Sequence, residues 1–200
     1  MPPGRLFSPL ILLALAGCHR SEPEPADTNA APAAATAVDA EPAAAPVAKT
    51  APVTFEGFGP AHFGDAEEAV RQSWGRPFNE DVPSNEPCHM LLPQRPADAK
   101  GYMIAFMIEN GRFVRFDVDS DRYTAPGGIK VGDSADAVMK AWSDQVESMP
   151  HKYVEGARYL TVTPRGGGES KLLFEVSPEA RVQSWRIGIP PAVFYVEACS

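Results

Sequence analysis

The sequence is poor in the residues and patterns that mark metal sites, spanning helices and nucleic-acid-binding proteins. It has three cysteines and four histidines among 200 residues, and no set of them has the spacing of a zinc site. No apolar run approaches the ~20 residues of a membrane-spanning helix. Its 18 lysines and arginines are outnumbered by 26 aspartates and glutamates and form no basic cluster. The composition therefore argues against these three classes, nucleic-acid partners included.

Bulky apolar side chains are also missing from residues 19–52, which contain no aromatic residue and no Leu, Ile or Met. The segment is mainly Ala and Pro, and its recurring prolines interrupt any long helix. Such a chain cannot bury enough apolar surface to offset the entropy of ordering it. We therefore predict that residues 18–52 form a disordered tether.

The N-terminus has the organisation of a secretory signal: Arg5, then apolar residues 10–14, then small residues. Residues 15–18 (Leu-Ala-Gly-Cys) resemble the lipobox of bacterial lipoproteins. This resemblance implies a signal peptide over residues 1–17 and acylation of Cys18, palmitate included. The alternative is an unmodified thiol beside an ordinary cleavage site. Because His19, not Asp, follows the cysteine, the resemblance implies anchoring in the bacterial outer membrane. The domain would face the periplasm or the cell surface, and the leaflet stays open.

The two other cysteines, Cys88 and Cys199, lie in the part of the chain that can form a core. An even pair in an exported domain most simply forms a disulfide. A catalytic thiol or a metal ligand is the alternative, and only His89 is adjacent to either cysteine. The sequence thus predicts one bridge that ties the end of the chain back to residue 88.

An internal repeat organises the remaining residues. Residues 63–74 match residues 131–142 at Gly, Asp, Ala, Val and Trp, and each segment has the apolar spacing of one short helix, with the Asp suited to N-capping. Strands at 89–92 and 159–163 follow, and then hairpins at 106–118, around an Asn-Gly turn, and at 172–187. We expect an α+β fold: a single compact domain made of two tandem units, residues 53–126 and 127–200, each a helix followed by a three-stranded antiparallel sheet.

The repeat resembles a known lipoprotein family. The Gly-Asp helix that ends in Trp-Gly-Arg-Pro (residues 74–77) is similar to the Leu-Gly-x-Pro helix of the SmpA/OmlA (BamE-like) family. The β-lactamase inhibitory protein fold is a tandem version of similar units. The second copy departs from the pattern, with Trp-Ser-Asp-Gln at 142–145. Residues 195–200 resemble the end of uncharacterised gammaproteobacterial secreted proteins, some labelled lectins. These resemblances imply a fold and assign no functional residue.

One acidic stretch invites a calcium interpretation. Asp117, Asp119 and Asp121 have the start of an EF-hand loop, but Arg122 and Gly128 stand where Gly and Glu are required. On a strand, the three aspartates share one face. The alternatives are a solvated strand face and an irregular cation site.

No nucleophile, base and acid assemble in the sequence, so we expect a protein that is not an enzyme and has no cofactor. The tryptophans fall on predicted core faces. Tyr153, Tyr159 and Tyr195 are the candidate ligand-binding residues, with capping of the sheet as the alternative role. The expected function is a non-enzymatic protein-binding module of the cell envelope, held at the membrane by its lipid, with an envelope protein as partner. The alternative is a carbohydrate- or peptidoglycan-binding, lectin-like lipoprotein. The partner's identity and the oligomeric state stay open.

Overall fold

The computed structural model describes residues 52–79 and 87–199. The predicted signal peptide, Cys18 and all of the tether except Pro52 lie outside the described residues. Within the described ranges, no helix is long and apolar enough to cross a membrane.

Among the described residues there are nine strands, and seven of them form one antiparallel sheet, in the order β3-β4-β5-β9-β8-β7-β6. The remaining two form a small hairpin. The elements, in chain order, are β1 (Gly57–Phe58), β2 (Ala61–His62), α1 (Glu67–Trp74), β3 (Cys88–Leu91), β4 (Ile104–Glu109), β5 (Arg112–Val118), α2 (Ala135–Trp142), a 3-10 turn (Ser143–Gln145), β6 (Val146–Pro150), β7 (Arg158–Val162), β8 (Lys171–Val176), β9 (Val182–Gly188) and a second 3-10 turn (Ala192–Phe194).

The predicted tandem of two helix-plus-three-strand units is wrong. The strands form one mostly β structure, because β5 pairs with β9 and joins both halves into a continuous seven-stranded sheet. The second half also contributes a fourth strand, β6, which pairs with β7. The sequence did not predict β6, because this strand is mostly exposed. It also ends in Pro150, which only an edge position tolerates.

The residues that match between the two halves make the same local contact. The Gly64 N–H donates to the Phe113 carbonyl at 2.8 Å, and the Gly132 N–H donates to the Val182 carbonyl at 2.8 Å. In both cases the start of a helix is fastened to the second strand of a hairpin. The sequence match therefore marks a repeated contact within one sheet rather than a repeated domain.

The matching aspartates do not cap the helices, contrary to prediction. The Asp65 carboxylate accepts a hydrogen bond from the His62 N–H, and the Asp133 carboxylate accepts one from the Lys130 N–H, both at 2.8 Å. Ser134 caps α2 instead, accepting from the Ala137 N–H. Each aspartate thus closes the turn before its helix, because its side chain reaches back along the chain.

The two helices cover the first face of the sheet, and the main core lies between the helices and that face. Val70 and Trp74 of α1 and Val138 of α2 are buried there. An aromatic cluster fills the centre, with edge-to-face contacts that add to the burial of apolar area. Its fully buried members are Phe58, Phe106, Phe113, Phe116, Phe174 and Trp185.

The second face of the sheet is covered along its middle by residues 189–199, here called the C-terminal strap. The strap enters through the Ile189 N–H, which donates to the Val114 carbonyl at 2.9 Å. Val193 packs against Tyr159 and Leu173, and all three are buried. The strap therefore replaces solvent over the central strands, and the sheet does not offer an open concave surface.

Candidate functional site

The second sheet face and the C-terminal strap contain or adjoin most of the side chains that the sequence singles out, so they form the candidate site. The disulfide is the first of its features. Cys88 in β3 is bonded to Cys199 in the strap, with Cα atoms 5.4 Å apart, which confirms the predicted bridge. It closes a sequence separation of 111 residues. In the chain-entropy model such a loop is worth about 4–5 kcal/mol of stability.

A buried ion pair lies beneath the strap. The Arg115 Nε donates to Asp117 Oδ2 at 2.8 Å, and Arg115 Nη2 donates to Asp117 Oδ1 at 2.6 Å. Arg115 is only 3% exposed and Asp117 6%. Arg115 Nη1 also donates to the carbonyl oxygens of Ala192 and Tyr195, at 2.9 and 2.7 Å. The pair therefore holds the strap by its backbone.

The expectation that Asp117 lies on a solvated strand face is accordingly wrong. Strand alternation does place Arg115 and Asp117 on one face, but the strap covers that face. Covering requires a contact between β5 and residues almost eighty positions later, which local sequence does not show.

A second arginine repeats the arrangement on β9. Arg186 Nε donates to the Val193 carbonyl at 2.7 Å, and Arg186 Nη1 donates to Glu175 Oε1 at 2.6 Å. Arg186 lies opposite Asp117 in the β5–β9 register. Two cations and two carboxylates thus lie together under the strap. The arginine N–H groups named above donate to carboxylates and to backbone carbonyls of the strap, an arrangement suited to holding the strap.

The other two predicted aspartates lie beyond the end of β5. The Asp119 carboxylate accepts hydrogen bonds from the Tyr102 and Met103 N–H groups, at 3.0 and 2.6 Å. Asp121 is exposed. The structure does not bring Asp117, Asp119 and Asp121 together, and among the described residues no three His, Cys, Asp or Glu side chains are placed to share a metal ion.

Tyr102 is a site residue that sequence reasoning missed. It lines a cleft of about 380 Å³ beside the strap, together with Asp117, Glu175 and Arg186. Burial, followed by the nearby charges of Asp117 and Asp119, raises the pKa of the Tyr102 hydroxyl well above its usual value of 10.0. At neutral pH the hydroxyl is therefore a hydrogen-bond donor and not a base.

The three predicted ligand-binding tyrosines have different environments. Tyr159 is buried and stacks on His151, with ring centroids 4.6 Å apart, so its ring is not offered to a partner. Tyr195 is half-buried in the strap, its hydroxyl 3.5 Å from Glu109 Oε1. Tyr153 is exposed, and its hydroxyl donates to the Glu197 carboxylate. Of the three, Tyr153 presents the most ring surface to solvent.

Tyr153 belongs to a group that we call the exposed apolar patch: Met149, Tyr153, Val154 and Phe194, each 40–57% exposed. Met149 lies opposite Tyr159 on the neighbouring strand, and Phe194 belongs to the strap. A shallow cleft of about 580 Å³ adjoins the patch and is lined by Phe194, Tyr195 and Lys152, among others. The Lys152 ammonium lies 4.8 Å from the centre of the Tyr153 ring.

Comparison with known proteins finds no matching family model and no matching curated protein. Solved structures of weak similarity include three bacterial proteins. An extracellular protein containing an SCP domain from Bacillus anthracis is 12% identical over 64% of this chain, with a TM-score of 0.42, and this chain spans 44% of that chain. The uncharacterized protein YfeY from Escherichia coli is 13% identical over 68% of this chain and 98% of its own, with a TM-score of 0.45. A DUF4309 family protein, YjgB, from Bacillus subtilis is 9% identical over 62% of this chain and 78% of its own, with a TM-score of 0.39.

At these similarities the solved structures assign no function to this chain, and the SmpA/OmlA resemblance stays a prediction. Charged and apolar side chains have different roles at the site. Charged side chains beneath the strap fix its position, and apolar side chains beside it face solvent. One sequence signal could have found the buried pair: opposite charges at positions 115 and 117 of a predicted strand necessarily share a face.

Proposed function

We propose that this chain is a lipid-anchored lipoprotein of the bacterial outer membrane whose folded domain is a non-enzymatic protein-binding module of the cell envelope. The Leu-Ala-Gly-Cys sequence at residues 15–18 and the long Ala/Pro segment support the anchor and the tether. The exposed apolar patch supports protein binding, and it is the observation on which the proposal depends.

The argument from the patch is one of clustering. Single exposed apolar residues are common on protein surfaces, whereas several on adjoining segments favour an interaction site. Three of the four lie within residues 149–154, and Tyr153 is bonded to Glu197 of the strap that bears Phe194. In the described residues, large apolar side chains are exposed at the four patch positions and at Met139 of α2. Aromatic residues and Met are also the types enriched at protein interfaces. The patch thus has the composition of a binding surface, and Met139 provides a comparison outside it.

The patch is also held in place before any partner arrives. Arg186 and Arg115 fix the strap that bears Phe194, and Tyr153 is tied to the strap through Glu197. Ordered side chains lose less entropy on binding than mobile ones. This favours a partner that docks on a preformed surface.

The glycan alternative has less support at the patch. Sugar binding needs free polar groups beside an exposed ring, but Lys152 and Glu197 lie 3.5 Å apart as an ion pair next to Tyr153. A protein partner requires only that the apolar area be covered.

The test is site-specific photo-crosslinking in intact cells. A photoreactive residue is placed at Tyr153 or Phe194, and in a matched control at Met139, which is similarly exposed on α2. We expect discrete crosslinked products from positions 153 and 194 that are absent from position 139. Cys18→Ser should release the chain from the membrane fraction and reduce their yield. The same products from position 139, or none from 153 and 194, would refute protein binding through the patch.

A further inference from the structure

A third cavity, which we call the arginine pocket, lies on the α1 side of the sheet, beside the start of β4. It has a volume of about 260 Å³. Its lining comes from the chain after α1, before β4 and after β5. The side chains that carry the argument are Arg76, Arg95, Arg122, Tyr123 and Gln94. No residue of the exposed apolar patch lines it.

The pocket collects arginines that lack carboxylate partners. In the part of the chain that the structure describes, four arginines pair with carboxylates, and two donate to the carbonyls of the Gly-Asp segments. Four others form no ion pair there: Arg76, Arg95, Arg122 and Arg158. Three of these line this one cavity.

This convergence is unusual for a protein of net charge −8, in which carboxylates are plentiful. Like charges repel one another, and the repulsion is relieved when an anion lies between them. Guanidinium groups suit this role because they donate two parallel hydrogen bonds to a carboxylate or phosphate. The electrostatics of the pocket therefore favour an anionic group.

Two of the arginines retain donors for such a group. The Arg76 guanidinium lies 5.0 Å from the centre of the Trp74 ring, a cation–π contact that orients it without using its N–H donors. Arg95 donates Nη1 to the Ala99 carbonyl, which leaves its remaining N–H groups. Both guanidinium groups are positioned by contacts with other residues of the protein, so the site is partly preorganised.

The uncharged residues that line the pocket indicate what kind of molecule carries the anionic group. Burial raises the pKa of the Tyr123 hydroxyl, although the nearby charges of Arg76 and Arg122 act in the opposite direction, so this hydroxyl is a donor at neutral pH. Gln94 offers an amide, while Met103 and Ile104 are apolar. A cavity of about 260 Å³ is below the usual range of about 300–1,000 Å³ and admits one ring rather than a chain. A ring with hydroxyls on its edge and an apolar face matches this mixture.

We propose that the arginine pocket binds an acidic sugar, a single sugar ring that bears a carboxylate or a phosphate. Arg76, Arg95 and Arg122 face the anionic group, and Tyr123 and Gln94 contact the ring hydroxyls. The site does not depend on protein binding at the patch, and either can fail without the other.

The experiment measures binding to the full chain in mild detergent by isothermal titration calorimetry. The probes are N-acetylmuramic acid, which has a carboxylate, and glucose 1-phosphate. Their neutral counterparts are N-acetylglucosamine and glucose, and benzoate is an acid without a sugar. We expect saturable binding of at least one acidic sugar, at least tenfold tighter than its neutral counterpart and than benzoate, and weakened by salt.

Three variants locate the site. Arg122→Gln and Arg76→Gln should each weaken binding of the acidic sugar about tenfold or more, while Arg76→Lys should retain part of it. Arg158→Gln is the matched control, since Arg158 also lacks a carboxylate partner among the described residues but lies on β7. Thermal unfolding of each variant checks that the fold is retained. Absence of saturable binding, equal binding of neutral sugars or benzoate, or an equal loss in Arg158→Gln would overturn the proposal.

Discussion

Replacing Asp117 with Asn tests whether the strap really seals the charges beneath it. Asn has nearly the same size and keeps one oxygen that can accept a hydrogen bond from Arg115. The substitution therefore removes the negative charge while disturbing packing little. It leaves the Arg115 guanidinium, which is 3% exposed, without a compensating carboxylate.

The expected loss of stability follows from that burial. Removing one partner of a buried ion pair costs about 3–5 kcal/mol, because the remaining charge stays desolvated. The retained acceptor favours the lower end, about 3 kcal/mol. For a domain of roughly 150 residues, 1 kcal/mol shifts Tm by about 2–4 °C, so Tm should fall by about 6–12 °C.

The assay is thermal unfolding of the full chain followed by circular dichroism. Asp144→Asn is the control: Asp144 pairs with Arg165, but both side chains are about 70% exposed, so Tm should not change measurably. Arg115→Met combined with Asp117→Leu should recover part of the loss, because no buried charge is then left without a partner: Arg186 keeps Glu175. Hydrogen exchange in residues 189–199 should speed up in Asp117→Asn.

A Tm for Asp117→Asn within 2 °C of that for Asp144→Asn would refute this reasoning. It would mean that water reaches Arg115 and that the strap does not exclude solvent from the second sheet face.

Two further predictions concern Tyr102 and the turn before α2. The folded protein keeps the Tyr102 proton that the unfolded chain loses near pH 10, so stability should fall as pH rises above about 10. Tyr102→Phe should flatten this slope in denaturant titrations, and an unchanged slope would exclude Tyr102 as its cause. Gly127 and Gly128 both have positive φ, +85° and +81°, but a Cβ at Gly127 would lie 2.6 Å from Trp142 Nε1, whereas one at Gly128 meets nothing within 4 Å. Each Ala variant should lose about 1–2 kcal/mol to backbone strain, and Gly127→Ala at least ~1 kcal/mol more from the clash. Equal losses in chemical denaturation would show that Trp142 moves aside.

Local sequence predicted most strands and both helix positions, but not their assembly. The Asn110-Gly111 hairpin is present at the expected residues, because such turns depend on positive φ at adjacent positions. Strand β6 was missed because its exposed residues and Pro150 lack the alternation of a half-buried strand. The join of β5 to β9 was missed because nothing within either strand specifies the partner at its outer edge.

The candidate site likewise contains features that local sequence predicts and features that it does not. The bridge between Cys88 and Cys199 was predictable, since these are the two of the three cysteines that lie in the part of the sequence able to form a core. The burial of Tyr159 was not, because Val193 of the strap covers it. The arginine pocket was not predictable either, since its three arginines lie on separate loops that only the folded chain brings together.

By itself, the sequence determined the disulfide, the positions of the short helices, and the main hairpins, because each depends on residue types close together in the chain or on a unique pair. The tertiary structure alone decided that one sheet forms instead of two, that a strap closes its second face over Arg115 and Arg186, and which side chains remain at the surface. Those outcomes depend on contacts between residues many tens of positions apart, and their free energy comes from desolvation and packing that no local pattern records.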